Sequence, residues 1–81
     1  MSNTQNAIIF VNGREETVAK GQITYEAIVA FGYPNPDFAN NTYKVTYFLK
    51  GDPQNQGTLT KGQSVEAVDG LMFTVVRAVR S

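Results

Sequence analysis

The 81-residue chain contains no cysteine and no histidine. Without cysteine there is no disulfide framework, no thiol nucleophile and no thiolate metal site. Without histidine the commonest general base and the commonest transition-metal ligand are missing too. Net charge is lacking as well, because seven basic residues balance seven acidic ones. Arg14, Lys20, Lys44, Lys50, Lys61, Arg77 and Arg80 are scattered among the acids. Counterion release on nucleic acid needs a concentrated basic face, so nucleic acid is not an expected partner. No apolar run approaches membrane-spanning length, and the polar start MSNTQN has neither the basic nor the apolar region of a secretory signal. The expectation is a cytoplasmic protein with no membrane contact.

What is present suits a folded domain. Hydrophobic residues make up 42% and charged residues 17%, which argues against wholesale disorder. A chain of this size is one domain with one modest core, burying about 60–65% of its unfolded surface. It has no room for a deep cleft between domains. The carboxylates form no catalytic pair: Glu15 and Glu16 are adjacent and would face opposite sides of a strand. Asp52 and Asp69 fall in turn-like segments, where aspartate commonly bonds locally. Gly13, Gly62 and Gly70 read as turn residues, since no glycine-rich loop opens a helix. No cofactor, metal site or catalytic residue is expected, and the chain reads as a binding or structural protein rather than an enzyme.

The chain opens with a polar tail over residues 1–6, expected to be disordered, ahead of AIIFVNG. There Ala7, Ile9 and Val11 share one face of a strand and Ile8 and Phe10 the other. Asn12-Gly13 tolerates positive φ and predicts a hairpin into a short polar edge strand, REETVAK. GQITYEAIVAFGY reads as a helix, with Thr24 as N-cap, Ile23 and Ile28 as a staple, and Glu26 in the first turn. Ala27, Ile28 and Phe31 form its apolar stripe, and Gly32 is the expected C-terminal stop. YPNPDFANN is an irregular connection whose Tyr33 and Phe38 are expected to plug the end of the core. TYKVTYFLK alternates, with Tyr43, Val45, Tyr47 and Leu49 inward. GDPQNQG is read as a turn, followed by short strand pieces near Leu59 and from Val65 to Val68. LMFTVVRAVR is the longest strand candidate, with Leu71, Phe73 and Val75 on the core side.

The order strand, strand, helix, strand, short strand, long strand is that of the β-grasp fold. IIFVNGREE resembles the first hairpin of ubiquitin-like and sulfur-carrier proteins. ITYEAIVAFGY, YKVTYFLKG and GTLTKGQSVEAVDGLMFTVVRA resemble the bacterial multiubiquitin-type domain, with its ITYE helix start, VTY strand and G-x-x-F-x-V last strand. The resemblance runs from about Ile8 to Ala78. It implies an α+β, β-grasp roll: a mixed sheet of four to five strands on one short helix, as a single domain over residues 7–78. It also implies a ubiquitin-like protein modifier. Such a modifier does no chemistry itself. An E1-like activating enzyme adenylates its C-terminal carboxylate, an E2-like enzyme conjugates it to target proteins, and a metal-dependent isopeptidase is the further partner. Modifier tails of this kind end in Gly-Gly, which threads into narrow enzyme channels. Here the tail at residues 79–81 ends in Arg80-Ser81.

Two sites follow as expectations. Arg77, Ala78, Val79, Arg80 and Ser81 are either a segment read by an activating enzyme or a solubilised strand end. On the back of the sheet, where Ile8 and Met72 also point outward, Phe10, Phe48, Thr74 and Val76 are expected to form an exposed partner-binding patch. The bland alternatives are scattered surface hydrophobes or a register shifted by one residue. Lys20, Lys44, Lys50 and Lys61 read as solvated lysines, though a lysine is also where a modifier chain would be built. The competing function is a non-conjugating module that docks or self-associates through its sheet face or edge.

Overall fold

A computed structural model describes residues 5–79. The hairpin forms as the sequence predicts. β1 (Asn6–Val11) pairs antiparallel with β2 (Arg14–Ala19), and Asn12 and Gly13 turn the chain at φ 52° and 82°. Both residues are in the left-handed region that two-residue hairpin turns require. β1 starts one residue inside the expected N-terminal tail, and Gln5 is already tied down, its carbonyl accepting from the Lys20 N–H at 2.7 Å.

A strand absent from the sequence reading comes next. β3 (Gly21–Thr24) precedes α1 (Tyr25–Gly32) and pairs with β6 (Ser64–Ala67), some forty residues downstream. Thr24 closes β3 and caps the helix, its Oγ accepting from the Ala27 N–H at 3.2 Å. The helix buries Tyr25, Ile28 and Val29. Of the expected stripe only Ile28 is fully buried, and Ala27 and Phe31 pack at its margins. Gly32 is the last residue of the helix but not the left-handed stop expected, and Tyr33 is the C-cap. It lacks a positive φ, and glycine is favoured there because a Cβ would stand 3.2 Å from Val75 Cβ.

β4 (Asn41–Leu49), β5 (Asp52–Leu59) and β7 (Leu71–Val79) complete the main sheet, ordered β2-β1-β7-β4-β5. β1 runs parallel to β7 and the other neighbours are antiparallel. The segment expected as a turn is largely strand. Leu49 pairs with Asp52 while Phe48 pairs with Gln56, so Pro53, Gln54 and Asn55 are accommodated where the register shifts. Pro53 is tolerated because β5 is an edge. α1 covers one face of this sheet, over Ile9, Val11, Val45, Leu71, Phe73 and Val75. That matches the inward residues read from the alternation.

The connection after α1 is held by aromatic rings and one carboxylate. Phe38 meets the Tyr43 ring edge-on at 5.3 Å, Tyr33 tilts against Tyr43 at 5.5 Å, and the Tyr25 hydroxyl donates to the Tyr43 carbonyl at 2.8 Å. Asp37 accepts from the Ala39 and Asn40 N–H groups and from Asn40 Nδ2 at 2.8 Å. The Asn40 side-chain bond, more than any other cause, holds the Asp37 carboxyl below its ordinary 3.8. A lowered carboxyl supports the fold above its unfolded value and stops doing so as pH falls through the folded one. The Ala39 and Asn40 amide resonances are therefore expected to titrate together, with a midpoint below 3.8. A midpoint at or above that value would show that the carboxylate does not order the loop.

Candidate functional site: the open face of the sheet

The alternation that buries Ile9, Val11, Phe73 and Val75 sends their neighbours to the face away from α1. Register then decides which of them meet. Phe10 lies opposite Glu15 on β2 and beside Met72 on β7, and Met72 lies opposite Phe48 on β4, itself opposite Gln56 on β5. One row thus crosses all five strands with three apolar residues at its centre and a polar residue at each end. Phe48 is 45% exposed, and Phe10 and Met72 are half-buried.

The four residues expected as a patch share this face but not one row. Thr74 pairs with Thr46, which pairs with Thr58, so a strip of threonines lies beside the apolar row. Val76, 53% exposed, pairs with Lys44 one row further on. At about 3.4 Å per residue, Val76 sits roughly 14 Å along β7 from Met72. Thr74 is a diagonal neighbour of Phe48, and Val76 is out of its reach. Ile8, 40% exposed, extends the apolar ground along β1 in the other direction.

The expected C-terminal tail is in part strand. Val79, Ala78 and Arg77 continue β7, paired with Asn41, Thr42 and Tyr43. Arg77 turns to the helix side and stacks over the Tyr33 ring at 5.4 Å, a cation–π contact that the sequence reading did not contain. Arg80 and Ser81 lie outside the described residues. Lys20, Lys44, Lys50 and Lys61 are all exposed.

Two polar side chains that looked like turn residues splice β1 to β7. The Ile8 N–H donates to Asp69 Oδ1 at 2.8 Å, so Asp69 bonds across the sheet rather than locally. At the other end the Val75 N–H donates to Asn12 Oδ1 at 2.8 Å, and Asn12 Nδ2 donates to the Val75 carbonyl at 3.2 Å. No sequence pattern marks these partners, because 61 and 63 residues separate them. Among the described residues no helix is long and apolar enough to cross a membrane.

A mixed sheet grasping one short helix, with its central strand last in the chain, defines a ubiquitin-like β-grasp domain. The multiubiquitin family model matches residues 8–78, and the chain belongs to that family. No curated protein and no solved structure matches it.

Proposed function

We propose that this domain is a bacterial ubiquitin-like protein modifier, recognised through the open face of its sheet and joined to targets through its C-terminal carboxylate. It acts as the substrate of an E1-like activating enzyme and an E2-like conjugating enzyme and catalyses nothing itself. Family membership supports the modifier role. The observation that carries recognition is the row Phe10, Met72, Phe48, set in the middle of the sheet and left uncovered by the helix. Apolar ground rimmed by polar residues is what a protein partner covers.

The test is incubation with ATP and a cognate E1-like activating enzyme. The expected product is an adenylate, then a thioester, at the C-terminal carboxylate, read by intact mass. An unmodified carboxylate with an enzyme that is active on ATP overturns conjugation. A second reading, a non-conjugating interaction module, is favoured by the pairing of Arg77, Ala78 and Val79 with β4. That module would bind partners through the same face and yield no adenylate.

A further inference from the structure

Asn12-Gly13 is the one Asn-Gly pair in the chain. Glycine has no side chain to keep its backbone nitrogen away from the preceding carboxamide. In an open chain the deprotonated Gly13 nitrogen attacks Asn12 Cγ. A new N–Cγ bond closes a succinimide ring, the Cγ–Nδ2 bond breaks, and Nδ2 takes up one proton, matching the one lost from the Gly13 nitrogen, and leaves as ammonia. Water then opens the ring and leaves aspartate or isoaspartate. Water is the co-reactant, and nothing is oxidised or reduced.

The fold opposes the first step. Asn12 Oδ1 accepts from the Val75 N–H at 2.8 Å while Nδ2 donates to the Val75 carbonyl at 3.2 Å. With both ends of the carboxamide tied to the central strand, Cγ cannot swing toward the Gly13 nitrogen until both bonds break. Gly32 stands over the same clasp, where a Cβ would lie 3.3 Å from Asn12 Nδ2. We propose that Asn12 is a deamidation site held closed by its clasp on Val75, and that it reacts when the β1–β2 hairpin lifts from β7. The change is one-way. The carboxylate product has no N–H for the Val75 carbonyl and sets oxygen against oxygen, so a hairpin once lifted and converted does not re-form the clasp.

The full chain is held at mildly alkaline pH in native buffer and, in parallel, in guanidinium chloride, with peptide mapping at Asn12 over time. Deamidation in the folded chain is expected to be at least about tenfold slower, as befits a site that reacts through local opening. Gly32→Ala, which crowds Nδ2, is expected to raise the folded-state rate several-fold while the circular dichroism stays native. Equal rates for wild type in the two buffers overturn the proposal. So does a folded Gly32→Ala chain that deamidates as slowly as wild type.

Discussion

Phe73→Ala is expected to remove most of the stability of this domain. Phe73 is 2% exposed, lies on the central strand between Val11 and Tyr47 in register, and sets its ring 6.0 Å from that of Tyr47. Truncating a buried phenylalanine costs about 3–5 kcal/mol, as lost burial and as the cavity left behind. Domains are stable by about 5–15 kcal/mol in total, and small ones lie toward the low end. A chain with one core cannot absorb such a loss elsewhere. Equilibrium unfolding in urea checks this, and a loss under about 1 kcal/mol would mean that the core closes over the gap.

Phe48→Glu is expected to do the reverse, sparing the fold and removing recognition. Phe48 is 45% exposed, so an outward charge there should shift stability by no more than about 1 kcal/mol. The same charge in the middle of the Phe10, Met72, Phe48 row would have to be buried unpaired by any partner seated on it. Losing a central interface residue costs about 2 kcal/mol or more, roughly thirtyfold in affinity. Val76→Glu, two rows away beside Lys44, is expected to cost less. Calorimetric titration against the proposed E1-like partner gives both numbers. Equal losses at the two positions, or none at Phe48, would mean that the row is not where recognition happens.

The hairpin, the helix cap and the inward residues of β1, β4 and β7 were legible in the sequence because local chemistry sets them. Asn12-Gly13 dictates its turn, Thr24 its cap, and strict alternation its faces. β3 was not legible. Four residues, GQIT, carry no alternation to read, and they become a strand only because Ser64–Ala67 lies alongside. β5 hid behind Gly51, Asp52 and Pro53, whose turn signals are real but belong to a tight turn and a register shift inside a strand pair.

The site was legible in part, for a related reason. Alternation placed Phe10, Phe48, Thr74 and Val76 on one face, but which of them are neighbours depends on how distant strands slide past one another. That slide brings Met72 between Phe10 and Phe48 and carries Val76 away. The Arg77 contact with Tyr33 and the clasp of Asn12 on Val75 depend on the same long-range pairing.

The seam between β1 and β7 also bears on the order in which the molecule assembles. Its two register pairs, Phe10 with Met72 and Val11 with Phe73, and the bonds of Asp69 and Asn12 that bracket them, all join segments about sixty residues apart. The β1–β2 and β4–β5 hairpins close over short loops, whereas this seam returns nothing until nearly the whole chain has been looped back on itself. Short-range pieces are therefore expected to form ahead of the join that makes them one sheet. The entropy of that closure falls on the last strand, which is also the strand at the centre.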